Sequence, residues 1–442
     1  MNSVVVGLGK TGAACVRFLA KRGLPVRATD SRRAPPGLAA LGDLAERVDL
    51  RLGGFDLSLL DGASRLLLSP GVSPAEPIAA LARARGIEIL GDIELFAREA
   101  RAPVVAVTGT NGKSTVTSLV AHMAQCAGRR VLAGGNLGEP ALDLLERPVP
   151  DLYVLELSSF QLETTSSLEP GAAAVLNVTA DHLDRYASVE AYAAAKERIF
   201  THAATLVLNA DDPRVLAMQL RHAAPALRFS LVREDVEFGL GVAGGVTYLV
   251  RGGEPLLDVA RLKIAGAHNA ANALAALALG EAAGLPYAAM LAALESFPGL
   301  PHRSAWVADR DGVRYVDDSK GTNVGATIAA VAGTNRPLVV IAGGEGKGQD
   351  FTPLAAAFRG RVRRAVLIGK DAASIGRVLA GVCTVEYAAG MTEAVAAAAR
   401  AALPGDLVLL SPACASLDMF RDYAERGDLF AAAVRALGAA PP

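Results

Sequence analysis

Thr108-Gly109-Thr110-Asn111-Gly112-Lys113-Ser114-Thr115 stands between an apolar run, Val104 to Val107, and a stretch of helical composition, Val116 to Ala127. Strand, glycine loop and helix in that order build a phosphate cradle. Loop and helix N-terminal N–H groups point at the anion, Lys113 supplies a point charge, and the hydroxyl of Ser114 or Thr115 is placed to hold magnesium. The spacing departs from the usual loop, because Val107 occupies the position six residues before the lysine where glycine is customary. The flanking strand and helix therefore carry as much of the reading as the loop does. A Gly-Lys-Ser turn between strands can arise by chance; in this context the pattern implies a nucleoside triphosphate.

Outward from this loop, short β-like runs alternate with Ala/Leu-rich helical stretches along the whole chain, as in βα units around mostly parallel sheets. At 442 residues, two to four domains are expected, and three sections separate. The first, 1–92, opens with Val4-Val5-Val6, turns through Gly7-Leu8-Gly9-Lys10-Thr11-Gly12 into a helix from about Ala13 to Lys21, and has further strands at Val26 to Thr29, Leu66 to Ser69 and Ile87 to Leu90. The second, 93–298, holds the cradle, strands at Leu152 to Leu155, Ala173 to Asn177 and Leu206 to Asn209, and an Ala-rich helix from Asn269. Pro298-Gly299-Leu300-Pro301 cannot continue a helix and marks the break to the third section, 299–442. Its strands lie near Val313 to Val316, Leu338 to Ala342, Ala365 to Ile368 and Leu407 to Leu410. The fold class is α/β in three domains: a Rossmann-like N-terminal domain, a central P-loop ATPase-like domain and a Rossmann-like C-terminal domain.

Composition excludes several function classes. A formal net charge of −1 gives no basic field for nucleic acid or an anionic membrane, though a local site for a small anion stays open. Cys15, Cys126, Cys383 and Cys414 are scattered without a C-x-x-C pair and read as buried free thiols in a reducing compartment. No basic n-region precedes a long apolar segment, and Ala270 to Leu294 is interrupted by Gly280, Glu281, Gly284 and Pro286, so no export signal or membrane span is expected. The expectation is a soluble cytoplasmic protein.

Beside the cradle, Gly7-x-Gly9-x-x-Gly12 with Asp30 at the end of the next strand matches a dinucleotide fingerprint in outline. The loop selects a diphosphate on a helix N-terminus, whether from a nicotinamide cofactor or a sugar nucleotide, and it can also be a plain tight turn. Asp30-Ser31-Arg32 could read a ribose or base edge there, and Ser69-Pro70-Gly71 could form a second wall. Glu156 ends an apolar strand where a P-loop domain needs an acid for magnesium, or is an ordinary strand-end carboxylate facing water, and Asp181-His182-x-Asp184 follows the strand ending at Asn177 in the same way, with His182 either a ligand there or a structural histidine. Lys196, on composition alone, is a solvated helix-face lysine. His268-Asn269-x-x-Asn272 puts two amides on one helix face, able to read an adenine edge or to cap the helix. Three polar loops close strands of the last section: Asp317 to Asn323, Gly343 to Gly348 and Ser411 to Ser416. They offer Lys320, Lys347 and several hydroxyls to a small carboxylate-bearing substrate. Cys414 lacks a neighbouring histidine, which argues against covalent catalysis.

The segments GLGKTG, SPGVS, TGTNGKST, GGNLG, ELSSFQLE, NVTADHLDRY, GAHNAANALAA, LPHR, DDSKGTN, GGEGKGQDF and SPACASLDMF occur in one order along essentially the whole chain. This ordered set resembles the Mur ligases, and among them the branch that adds glutamate to a UDP-muramoyl-alanine acceptor. The resemblance makes the first section a UDP-sugar domain and removes the dehydrogenase reading. It implies that Lys10 and Thr11 meet the UDP diphosphate, that Asp30, Ser31 and Arg32 sit at the uracil, and that Ser69, Pro70, Gly71 and Asn136 line the muramoyl path. Gly109, Thr110, Asn111, Gly112, Lys113, Ser114 and Thr115 would wrap the ATP phosphates, with Ser114 and Glu156 on one Mg2+ ion. His182 and Lys196 are implied at a second Mg2+, the family's lysine at that place being carbamylated. Asn269, Asn272, Arg303 and Asp318 match adenosine-side residues and Lys320 a phosphate contact. Thr322, Lys347, Ser416 and Tyr423 match the glutamate site, with Tyr423 where phenylalanine is frequent and Gly321 where alanine is expected.

The implied activity is ATP-dependent addition of D-glutamate to UDP-N-acetylmuramoyl-L-alanine through an acyl phosphate, for peptidoglycan synthesis. The implied partners are those small molecules and ATP, with no nucleic acid and no membrane, on a monomer whose C-terminal domain swings about Pro298 to Pro301. The rivals are a ligase for L-glutamate, L-alanine, a diamino acid, a dipeptide or folate, and a nucleotide-binding protein without turnover.

Overall fold

The computed structural model describes residues 2–264 and 266–437. Three sheets follow one another along the chain, in two compact units. One unit comprises Met1–Val178, Glu190–Val259 and Asn272–Glu295; the other comprises Thr179–Val189, Ala260–Ala271 and Ser296–Pro442.

The first unit contains two sheets. Its five-stranded sheet is entirely parallel, in the order Asp49–Leu52, Val26–Asp30, Ser3–Val6, Arg65–Leu68, Glu88–Leu90. The central strand is covered on both faces, so Val4, Val5 and Val6 are all buried, which is why it reads as an unbroken apolar run. Its nine-stranded sheet runs Glu254–Asp258, Val246–Arg251, Phe238–Ala243, Ala226–Phe229, Leu206–Asn209, Ala172–Val175, Val104–Thr108, Leu152–Glu156, Val131–Gly135. The strand ahead of the phosphate loop lies between Leu152–Glu156 and Ala172–Val175, parallel to both. Strand order reverses at that point, so the loops leaving these strands open a crevice at their C-terminal ends. Three strands from Phe238 onward instead form antiparallel hairpins that extend one edge.

The second unit carries a six-stranded sheet in the order Ala305–Arg310, Val313–Asp317, Leu407–Leu410, Leu338–Gly343, Val362–Ile368, Thr384–Tyr387. Only its first pair is antiparallel, joined through Asp311-Gly312, both at positive φ as a two-residue hairpin turn requires. Separate apolar clusters cover its two faces. One contains Val340, Leu354 and Phe358, the other Ile341, Val395 and Phe430.

The expected helices begin earlier than their apolar periodicity suggests, at Lys10 and Lys113, because each glycine loop feeds its helix without an intervening turn. The cysteine reading is corrected in part: all four are free, and Cys15 and Cys414 are buried, but Cys126 is exposed and Cys383 half-buried. Cys126 ends a helix and projects from its outer face, where a scattered apolar residue is common. Among the described residues no helix is long and apolar enough to cross a membrane.

Candidate functional site

In the first sheet, Gly7 turns at φ +89°, and a Cβ on Gly12 would lie 1.8 Å from the Gly7 carbonyl oxygen, so only glycine lets the helix start press against the turn. The Ser69 hydroxyl donates to the same carbonyl at 2.6 Å. Asp30 is buried and accepts from the Leu8 N–H at 2.6 Å and from the Arg32 guanidinium at 2.9 and 2.7 Å. Burial would raise its pKa, but these donors outweigh burial and hold the carboxylate below its ordinary range. Asp30 thus braces the glycine turn, while Ser31 and Arg32 stay exposed beside it. Thr11 and Pro70 are half-buried and Gly71 is exposed. Lys10 reaches from this turn to the Gly138 carbonyl in the loop after Val131–Gly135.

In the phosphate loop, Gly109 and Gly112 take φ +151° and +86°. A Cβ at Gly112 would come within 2.4 Å of the Asn272 Oδ1, which places one of the two expected amides against the loop. Thr110, Ser114 and Thr115 are buried at the helix start. Lys113 Nζ donates to the carbonyls of Gly109 and Thr110, both at 2.8 Å. Lys196 Nζ donates to that same Gly109 carbonyl at 2.9 Å and lies 4.3 Å from the centroid of the Tyr192 ring. Two ammonium groups therefore converge on one turn of backbone. The solvated reading of Lys196 from composition is wrong: it is 1% exposed, because the helix Val189–Glu197 turns that face inward. Asn177 steadies the loop, its Oδ1 accepting from Asn111 N–H at 2.8 Å and its Nδ2 donating to the Asn111 carbonyl at 3.0 Å. Sequence reasoning passed over Asn177 as a strand end; its signal was a polar residue closing an apolar strand beside the cradle.

Glu156 is 3% exposed. Its Oε1 accepts from Asn136 Nδ2 at 2.6 Å, and its Oε2 is buried without a hydrogen-bond partner. A buried carboxylate oxygen left so is costly unless a cation meets it. No group of three or more His, Cys, Asp or Glu fit for a metal occurs among the described residues. A hard cation here would rest on this oxygen, a helix-start hydroxyl and phosphate oxygens, a donor set that suits magnesium.

The second unit holds the rest of the expected residues. His182 sits at φ +55° with its N–H on Asp181 Oδ1 at 2.9 Å. Asn269 is buried and shares a cavity of about 420 Å³ with Arg303, Lys263, His268, Trp306 and Arg336. Asp318 accepts from Ser411 Oγ at 2.8 Å and from the Ser304 N–H at 3.1 Å. Burial pushes its pKa up to about 7, against the opposing pull of those donors and of Arg303. Lys320 Nζ rests 3.8 Å above the Tyr423 ring, the first residue of the helix Tyr423–Ala436. Ser416 is buried, Thr322 and Lys347 are half-buried, and Lys347 sits at φ +52°.

The three polar loops are stitched together by backbone. Ala413 N–H donates to the Gly321 carbonyl at 2.9 Å, and Glu345 and Ala415 exchange bonds of 3.0 and 2.9 Å. Arg426, fully buried and missed from sequence, fastens two of them, donating to the carbonyls of Ser319 at 2.7 Å and Cys414 at 3.1 Å. Burial draws its pKa down to about 10. A lone arginine in a helix gives no sign of this role until the loops are placed.

Three family profiles match successive parts of the chain. The profile of the Mur ligase MurD-like N-terminal domain matches residues 1–91, that of the Mur ligase middle domain 107–280, and that of the Mur ligase glutamate ligase domain 302–414. A UDP-N-acetylmuramoylalanine--D-glutamate ligase of Nitrosococcus oceani is 56% identical over 98% of this chain and 96% of its own. One from Pseudomonas aeruginosa is 50% identical over 98% of both. Among solved structures, UDP-N-acetylmuramate-alanine ligase of Thermotoga maritima superposes with a TM-score of 0.64 at 20% identity, covering 99% of this chain and 100% of that one. Folylpolyglutamate synthase of Mycobacterium tuberculosis, complexed with ADP, gives 0.60 at 18% identity over 79% and 94%.

Proposed function

This chain belongs to the Mur ligase family, and from that premise we propose that it joins D-glutamate to UDP-N-acetylmuramoyl-L-alanine at the expense of ATP. The observation that carries the proposal is the convergence of Lys113 and Lys196 on the Gly109 carbonyl, in a chain that also buries Glu156 with one oxygen unmet. That is a triphosphate site equipped for phosphoryl transfer.

The division of labour follows the sections 1–92, 93–298 and 299–442. Lys10, Thr11 and the turn braced by Asp30 receive the UDP diphosphate, Ser31 and Arg32 the base, and Ser69 to Gly71 with Asn136 the sugar. The loop Gly109 to Thr115 wraps the ATP phosphates. Lys113 is held by loop carbonyls in the free protein and turns its charge to the γ-phosphate, where the task is electrostatic and positional. Ser114 and Glu156 would hold one magnesium ion, and His182 and Lys196 a second, with Lys196 carbamylated. Carbamylation exchanges a buried ammonium for an anionic oxygen ligand and removes the cost of a desolvated cation. Magnesium, when bound, offsets charge on the transferring phosphoryl group. Asn269, Asn272, Arg303 and Asp318 take the adenosine side. Asp318, with its pKa near 7, can present a protonated carboxyl as a donor at neutral pH. Lys320 leaves the Tyr423 ring to meet phosphate, while Thr322, Lys347, Ser416 and Tyr423 take the amino acid.

The acceptor's alanyl carboxylate attacks the γ-phosphorus and ADP leaves. The glutamate amine then attacks the acyl phosphate, forming the amide and expelling phosphate, without a protein nucleophile. A cytoplasmic monomer suits soluble substrates of this kind.

The test is magnesium-dependent phosphate release with UDP-N-acetylmuramoyl-L-alanine and D-glutamate, L-glutamate or no amino acid. Release with the D isomer alone is expected. Release with the L isomer alone would overturn the specificity, and silence in all three would overturn the acceptor.

A further inference from the structure

The segment 134–138, the end of the strand Val131–Gly135 and the loop after it, touches two of the sites described above. At one end, the Gly138 carbonyl accepts from Lys10 Nζ of the diphosphate turn. In its middle, the Asn136 N–H donates to the Glu156 carbonyl at 2.8 Å and Asn136 Nδ2 to Glu156 Oε1 at 2.6 Å. Gly135 lies so close that a Cβ there would stand 2.5 Å from the Glu156 carbonyl oxygen, at φ +97°. Asn136 thus grips both the backbone and the side chain of one buried acid. The grip consumes Oε1 and leaves Oε2 as the oxygen without a partner. A carboxylate with one oxygen tied to a fixed donor loses rotamer freedom and presents the other in a set direction, which is how outer-shell partners orient ligands to a metal.

We propose that Asn136 is a positioning residue for Glu156, setting which carboxylate oxygen faces the cation, and that Lys10 steadies the loop from which it acts. The proposal rests on the reading of Glu156 as a magnesium ligand and gives Asn136 a task besides lining the sugar path. An amide is suited to this: it donates to the carboxylate without neutralising it, so the anion keeps its full charge for the metal. Asn136 is exposed in the free protein.

The experiment measures Mn2+ binding to the protein·ADP complex by electron paramagnetic resonance, and UDP binding without metal by calorimetry, in wild type, Asn136→Leu and Lys10→Met. Leucine keeps the shape of asparagine and lacks its donor. Mn2+ affinity is expected to fall about tenfold or more in Asn136→Leu, the scale of outer-shell losses, with UDP affinity within about twofold of wild type. Lys10→Met should weaken UDP binding and lower Mn2+ affinity by a smaller factor. Mn2+ affinity unchanged in Asn136→Leu overturns the proposal, as does a parallel loss of Mn2+ and UDP binding, which would mark general damage to the loop. If Asn136→Leu does not fold, Asn136→Ser carries the same test, since its hydroxyl is too short to reach Oε1. Failure of wild type to bind Mn2+ with ADP would instead strike the metal reading itself.

Discussion

The phosphate loop turns sharply on glycines alone, whereas the loops around the C-terminal sheet turn on glycines and also on residues that carry side chains. In the phosphate loop the left-handed positions belong to Gly109 and Gly112, which adopt them at no steric cost. In the second unit Gly343, Gly344 and Gly348 do the same, but His302, Ser304, Lys347 and Ala413 occupy such positions as well, and all six non-glycine residues with positive φ among the described residues lie in that unit. Each costs on the order of 1–2 kcal/mol relative to right-handed backbone. They are held by their surroundings: Lys320 N–H on the His302 carbonyl at 3.0 Å, Ser304 N–H on Asp318, Ala413 N–H on Gly321, with Arg426 beneath. A triphosphate is recognised mainly by backbone N–H groups, which glycine presents bare. On the proposed function an amino acid would be met by side chains, which glycine cannot supply.

If that contrast is right, the largest effect falls on the cradle's charges. Lys113→Ala or Glu156→Ala should cut phosphate release on the order of 10³-fold while UDP binding by calorimetry stays near wild type. Loss of UDP affinity in either would break the separation of the two pockets. Next, Gly112→Ala forces strain into a loop that has none and drives a methyl at Asn272. ADP affinity, followed by fluorescence titration, should fall about 10–100-fold, and an unchanged affinity would mean the loop is as pliable as its C-terminal counterparts.

The third prediction concerns pH. Asp318 has its pKa raised from 3.8 to about 7, so the folded state holds the extra proton between those values and stability falls as pH rises through that window. Glu94, in the first unit, is lowered from 4.5 to about 2; burial opposes this, but the N–H groups of Ser166 and Ser167, the Ser167 hydroxyl and Arg98 prevail. Its stabilisation is present above 4.5 and is lost as pH falls toward 2. Urea unfolding across pH should show Asp318→Asn flattening the upper window and Glu94→Gln the lower one, and a swap would refute both assignments. Smallest, Ser304→Gly should change stability by about 1 kcal/mol or less in the favourable direction, since relief of strain is partly cancelled by glycine's greater freedom when unfolded. A clear loss would show that the strain at Ser304 is not what the backbone angle implies.

Much of the fold was legible because its central strands are buried on both faces. Val104 to Val107, Leu338 to Ala342 and Leu407 to Leu410 can hardly be read otherwise. Most of the strands that went unread lie at sheet edges; Ala226–Phe229, paired on both sides, is an interior exception. Asp49–Leu52 alternates exposed and half-buried residues, Val131–Gly135 ends in two glycines, and Ala305–Arg310 and Thr384–Tyr387 are short of buried residues and leave Trp306 and Tyr387 exposed. The antiparallel run from Phe238 to Asp258 escaped because its glycines read as loop. At the candidate site, the residues proposed to meet ligands were legible as glycines, lysines and hydroxyls after strands. Those that hold other residues, Asn177, Arg426 and the inward face of Lys196, did not, because their meaning lies in contacts between segments distant in sequence.

The hairpin tip at Val242 to Gly245 is exposed, turns on two glycines at φ +59° and +80°, and belongs to strands at the far end of the nine-stranded sheet from Leu152–Glu156. Exposed tips of small residues accept foreign groups readily. With Cys126 and Cys383 replaced, a cysteine at Ala243 would carry a dye well removed from Glu156 along the sheet, and with a second dye on the C-terminal sheet it would turn the protein into its own optical ruler.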